Sequence, residues 1–95
     1  MSPIRVLLVD DDRLSRELMA LYLRGEGMSV AEADSLAALR YALRQAIPEI
    51  VVLDLMLGDG NGLDAMREIH DAGAGVIILS SRNSCLLYTA DAADD

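Results

Sequence analysis

Lysine is absent from this chain: its eight basic residues are all arginine, and sixteen acids outnumber them to give a formal charge of −8. A protein that tracks phosphate backbones needs a basic face, so this balance argues against any nucleic-acid contact by this segment. Cysteine is nearly absent too. Cys85 alone cannot build an internal disulfide framework or a multi-thiolate metal site. Long hydrophobic runs are missing: the longest is six residues, at 18–23, and those at 6–9 and 76–79 are four, against the roughly twenty of a bilayer span. Ser2-Pro3-Ile4-Arg5 leads directly into a short run closed by acids, which is not the form of a signal peptide. The expectation is a cytoplasmic, soluble protein without membrane contact. What is present is a core: 53% of the 95 residues are apolar, enough for one small globular domain and too few for two.

Residues 4–9 form a β-branched and leucine-rich run that stops at Asp10-Asp11-Asp12, the pattern of a strand buried on both faces, as in parallel sheets. Leu14, Leu18, Leu21 and Tyr22 then recur at helical spacing, with Arg13, Arg16, Glu17 and Arg24 between them, and Gly25-Glu26-Gly27 stops the pattern. Residues 28–33 read as a shorter strand. Asp34 or Ser35 can cap a second helix carrying Leu36, Leu39, Leu43 and Ile47 on one stripe, ended by Pro48. Residues 50–53 predict a third strand terminated by Asp54, and the loop Gly58-Asp59-Gly60-Asn61-Gly62 leads to a helix marked by Leu63, Met66 and Ile69. After Gly73, residues 76–79 predict a fourth strand ending in Ser80-Ser81. Strands alternating with helices imply right-handed crossovers and an α/β architecture with helices on both faces of a parallel sheet.

In such sheets ligand-binding groups gather beyond the carboxyl ends of the strands, where the strand order reverses. Asp10, Asp11 and Asp54 fall at that edge of the first and third strands. If those strands are neighbours, three carboxylates converge, and their repulsion calls for a cation. A hard, oxygen-binding ion, Mg²⁺, suits this donor set better than Zn²⁺, for which neither cysteine nor histidine is placed. The one histidine, His70, reads as a surface or helix-end residue. A carboxylate beside Mg²⁺ can also attack a phosphoryl group and form an acyl phosphate. Asp54, alone at its strand end before an open loop, suits attack, whereas the crowded Asp10 and Asp11 suit metal binding. Ser80 offers a hydroxyl to an oxygen of the transferred group. Single acids after strands are also common helix caps, the role expected of Asp12, so the joint pattern carries the inference rather than any one member.

At these residues the sequence closely resembles the receiver domain of two-component response regulators. The matching segments are Val6-Leu7-Leu8-Val9-Asp10-Asp11-Asp12, Pro48-Glu49-Ile50-Val51-Val52-Leu53-Asp54-Leu55-Met56-Leu57 with Gly62 beyond, and Val76-Ile77-Ile78-Leu79-Ser80-Ser81-Arg82. The resemblance implies a flavodoxin-like sheet in the order 2-1-3-4-5 and an aspartate that accepts a phosphoryl group from a sensor histidine kinase or phosphotransfer protein. By position it implies Asp54 as phosphoacceptor, Asp11 and Asp54 as direct Mg²⁺ ligands, Asp10 as a water-mediated one, the Met56 carbonyl as backbone ligand, and Ser80 as switch hydroxyl. The wording around Leu55-Met56-Leu57 and Leu79-Ser80-Ser81-Arg82 is most similar to the subfamily that regulates transcription through a winged-helix domain. Such a domain is a signalling switch rather than an enzyme. The alternative is a receiver remnant that serves only as a protein-interaction module.

Two departures qualify the match. Gly58 stands where the family usually has proline. More seriously, the family's fifth strand ends in a lysine that pairs with phosphoryl oxygens, and this chain has none. Residues 84–95 do not continue the pattern and resemble a translated sequencing adapter, the competing reading being a natural deletion, since Ala92-Ala93-Asp94-Asp95 is also similar to the turn before the family's fifth strand; the expected organisation is a partial receiver over 1–83, with strands 2-1-3-4, and an aberrant tail. The fourth strand would then be a bare sheet edge that invites self-association. Two rivals fit less well. A phosphatase with an aspartate nucleophile wants a second acid at position 56, where Met56 stands. A dinucleotide-binding loop built on Gly58, Gly60 and Gly62 wants glycine at Leu63.

Overall fold

In a computed structural model, which describes residues 2–54, 62–79 and 88–89, the alternating pattern becomes β1 (Arg5–Val9), α1 (Arg13–Gly25), β2 (Ser29–Ala33), α2 (Leu36–Gln45), β3 (Ile50–Asp54), α3 (Gly62–Asp71), β4 (Gly75–Leu79) and β5 (Tyr88–Thr89). The sheet order is β2-β1-β3-β4-β5, and β2, β1, β3 and β4 are mutually parallel. This is the flavodoxin-like arrangement of the first four strands. Because β1 lies between β2 and β3, the first crossover runs from β1 outward to β2 and the next returns past β1 to β3, so the strand order reverses there and the carboxyl end of β1 is the switch point of the sheet.

Alternate residues of the strands feed two cores. Leu7, Val9, Val51, Leu53, Val76 and Ile78 point to one face and pack with Leu36 and Leu39 of α2 and Ala65 and Ile69 of α3. Val6, Leu8 and Val52 point to the other, where Ala20 of α1 lies against them with Met19 and Leu23. Burial on both faces explains why β1 and β3 read as unbroken apolar runs.

Local chemistry sets the helix ends. Asp12 caps α1, its Oδ2 accepting from the Ser15 N–H at 2.9 Å, and Ser35 caps α2, its Oγ accepting from the Ala38 N–H at 3.0 Å. After α3 the chain turns through Gly73 at φ 94°, a conformation that costs glycine little.

Three expectations change. First, α1 does not pack through Leu14, Leu18, Leu21 and Tyr22, which are all exposed; it turns Met19, Ala20 and Leu23 to the sheet. The helix carries two apolar stripes on opposite sides, and the one with a small residue at its centre makes the close approach. Second, Ile47 is not on the α2 stripe. The helix stops at Gln45 and Ile47 is exposed, because the residue before Pro48 is driven out of helical geometry. Third, the edge of β4 is not wholly bare: Tyr88 and Thr89 pair antiparallel with Ile78 and Ile77, which blunts the expected route to self-association. A two-residue return of this kind leaves no periodicity for a sequence pattern to reveal.

Candidate functional site

Strand register brings the acids together. Val9 lies opposite Leu53, so Asp10, the next residue along β1, and Asp54, the last of β3, leave the sheet side by side at its carboxyl edge. One carboxylate oxygen from each of Asp10, Asp11 and Asp54 lies within 4.8 Å of the others. Asp54 is 5% exposed and is the one buried charged residue among those described; Asp10 is half-buried and Asp11 exposed. The site therefore grades from a nearly dry floor at Asp54 to an open mouth at Asp11.

Asp10 is held from three directions. Its N–H donates to the Ala33 carbonyl (3.1 Å), its Oδ1 accepts from the Asp12 N–H (2.9 Å), and its own carbonyl accepts from Nη1 of Arg16 (2.9 Å). Burial pushes the Asp10 carboxyl above the ordinary carboxylate value, and the nearby Asp54 carboxyl pushes the same way, more than the Asp12 N–H offsets. At Asp12 the sign is opposite, because hydrogen bonds from Ser15 hold its carboxyl below the ordinary range, as expected of a cap facing solvent. An acid destabilised in its charged form beside two others is a donor set short of positive charge. Three convergent carboxylate oxygens, with no sulfur or imidazole among them, fit a hard divalent cation.

The structure thus brings together Asp10, Asp11 and Asp54 and leaves Asp12 to its cap. Met56 and Ser80 lie outside the described residues. His70 is exposed at the end of α3, near Asp71. The residue that sequence reasoning missed is Arg16. In sequence it stands with Arg13, Glu17 and Arg24 between the apolar positions, yet its side chain is only 14% exposed and reaches under α1 to the site. The available signal was phase: Arg16 shares a helical face with Met19, Ala20 and Leu23.

Comparison with known proteins agrees with this geometry. The model of the response regulator receiver domain family matches residues 6–94. The DNA-binding response regulator MtrA of Mycobacterium tuberculosis is 35% identical over 95 residues, covering 96% of this chain and 42% of MtrA. The chain spans about two fifths of the length of the curated relatives it matches. Among solved structures, a response regulator receiver protein from Pseudomonas putida superposes with a TM-score of 0.77 at 30% identity, covering 84% of this chain and 69% of that one. The response regulator TrrA from Thermotoga maritima, solved in complex with Mg(2+)-BeF, superposes with a TM-score of 0.78 at 27% identity, covering 84% and 71% of the two chains. Among the described residues no helix is long and apolar enough to cross a membrane. With its sheet order, its trio of acids at the switch point and these matches, the chain belongs to the response regulator receiver domain family.

Proposed function

We propose that this receiver domain is a phosphoryl acceptor in two-component signalling, in which Asp54 takes the group from a phosphohistidine of a sensor histidine kinase or phosphotransfer protein. The observation that carries this reading is the convergence of three carboxylates, one almost wholly buried, at the switch point of a parallel sheet. Asp11, Asp54 and the Met56 carbonyl would hold Mg²⁺ directly and Asp10 through water. When bound, the ion neutralises charge on the carboxylates and on the phosphoryl oxygens.

The protein's own residues do the rest. An Asp54 carboxylate oxygen forms a bond to phosphorus as the phosphorus–nitrogen bond to the donor imidazole breaks, and the electron pair of that bond returns to the ring nitrogen. The product is an acyl phosphate on Asp54. The burial of Asp54 limits the water that competes with the donor at its attacking oxygen. Ser80 donates its hydroxyl to a phosphoryl oxygen. The outward stripe of Leu14, Leu18, Leu21 and Tyr22 begins two residues beyond Asp12, so an apolar helical surface of the donor protein resting on α1 would bring its phosphohistidine to the open mouth of the site. By analogy with MtrA, the switch reports to transcription.

The test is incubation with acetyl phosphate and Mg²⁺ followed by mass spectrometry of the intact chain and of its peptides. One phosphoryl group on Asp54, absent in EDTA, is the expected result. No addition would favour the second reading, a receiver that binds a partner without being phosphorylated.

A further inference from the structure

Arg16 is a charged residue on the packed face of an amphipathic helix, a position that a guanidinium occupies only when it is fully engaged. Its Nη1 donates to the Asp10 carbonyl at 2.9 Å and its Nε donates to Oε1 of Glu32 at 3.1 Å, with the two side chains 14% and 27% exposed. Glu32 sits on the edge strand β2 opposite Leu8, and its second oxygen faces Nη2 of Arg24 at 3.4 Å. Arg24 in turn donates to the Val30 carbonyl at 2.9 Å. One planar, two-ended cation thus ties α1 and the edge strand to the main chain at the end of β1.

The place it grips matters. The Asp10 carbonyl and the Asp11 N–H belong to one rigid peptide plane, so fixing the carbonyl fixes the direction in which the chain departs toward Asp11. The Asp12 N–H fixes the Asp10 carboxylate at the same time. Without the guanidinium, the Asp10–Asp11 peptide can rotate and carry the two carboxylates apart.

We propose that Arg16, held by Glu32, is a positioning residue that sets the spacing of the Asp10 and Asp11 carboxylates and thereby the affinity of the site for a divalent cation. This rests on the reading of the three acids as a Mg²⁺ site. Groups hydrogen-bonded to metal-ligating side chains change affinity by roughly 10–100-fold when lost, and Arg16, which acts further out through the main chain, belongs at the low end of that range. Arg16 touches no reacting atom and acts through the main chain of Asp10.

Calorimetric titration of the 95-residue chain with Mg²⁺ tests the inference, alongside amide hydrogen exchange at Asp11 and Asp12 in EDTA. Arg16→Met is expected to weaken Mg²⁺ binding about tenfold and to speed exchange at those two amides. Arg16→Lys, which can reach one acceptor and not both, should recover part of the loss. Glu32→Gln keeps a neutral acceptor while removing the charge that anchors the guanidinium; it should weaken binding several-fold and supplies the test should Arg16→Met not fold. Arg13→Met, on the exposed side of the same helix, should leave the affinity unchanged. Unaltered Mg²⁺ affinity in folded Arg16→Met, or in Glu32→Gln, would overturn the positioning role while leaving the metal site standing. A wild-type chain that binds no Mg²⁺ would overturn both.

Discussion

Neutralising Asp54 should stabilise the metal-free protein. The nearest oxygens of the three acids lie within 4.8 Å of one another, and two unit charges at that separation repel by about 3.5 kcal/mol at an effective dielectric constant of about 20. Half-exposed Asp10 is partly screened by water, which reduces the relief from Asp54→Asn to about 1–2 kcal/mol at neutral pH. For a chain of this size one kcal/mol corresponds to roughly 5 °C in melting temperature, so the variant should melt about 5–10 °C higher than wild type in EDTA. Mg²⁺ should reverse the order. At a hundredfold excess over its dissociation constant a ligand adds about 2.7 kcal/mol to the form that binds it, roughly 10 °C or more here, and the variant should gain little. Circular dichroism melts of both chains in EDTA and in Mg²⁺ read the effect. An Asp54→Asn chain that melts at or below the wild-type temperature in EDTA would mean that the acids do not repel, and the electrostatic case for a cation site would fall with it.

Other expectations follow from the same geometry. The raised Asp10 carboxyl implies that Mg²⁺ binding weakens on acidification at a pH above the ordinary carboxylate value of 3.8, because the proton and the cation compete for it; calorimetry across pH 4–7 checks this. With EDTA present the same raised value makes the fold lose stability as pH rises from 3.8 through the folded-state value. At Glu68 the sign is opposite: hydrogen bonds from Arg40 of α2 (2.8–3.2 Å) hold its carboxyl down, so the α2–α3 link is intact above the ordinary value of 4.5 and is lost as pH falls below it. Glu68→Gln should cost at most about 0.5 kcal/mol at neutral pH, as both partners are substantially exposed. Ser35→Ala removes the α2 cap and should cost about 1 kcal/mol, seen as a lower melting temperature. Leu39→Ala, at a fully buried position between α2 and the sheet, should cost about 2–5 kcal/mol and leave so small a domain barely folded.

The strands and the acids at their ends were legible in the sequence for one reason: strands buried on both faces read as apolar runs, and the acids that close two of those runs mark the carboxyl edge of a parallel sheet; the strand order, which makes β1 and β3 neighbours, came from the resemblance to the receiver family. Val9 opposite Leu53 then follows from pairing the runs in register. Helix phase was not legible to the same degree. In α1, Leu14-Leu18-Leu21 and Met19-Ala20-Leu23 are both apolar stripes, and periodicity alone cannot choose between them; the sheet selects the one whose central alanine lets the helix approach. The inward Arg16 was hidden by the same ambiguity, since reversing the helix reverses the reading of every polar residue on it. Ile47 was misplaced because a stripe was extended past the residue that Pro48 forbids to be helical. The β5 pairing rests on two residues, too short to leave a pattern.

The central claim is that the ends of β1 and β3 together cage a small divalent cation beside Asp54. The most direct measurement is paramagnetic broadening of the backbone amide spectrum by substoichiometric Mn²⁺, used in place of Mg²⁺. Broadening centred on Asp10, Asp11 and Asp54 and reversed by excess Mg²⁺ is the predicted result. Broadening centred elsewhere, or spread evenly over the acidic surface and indifferent to Mg²⁺, would contradict it.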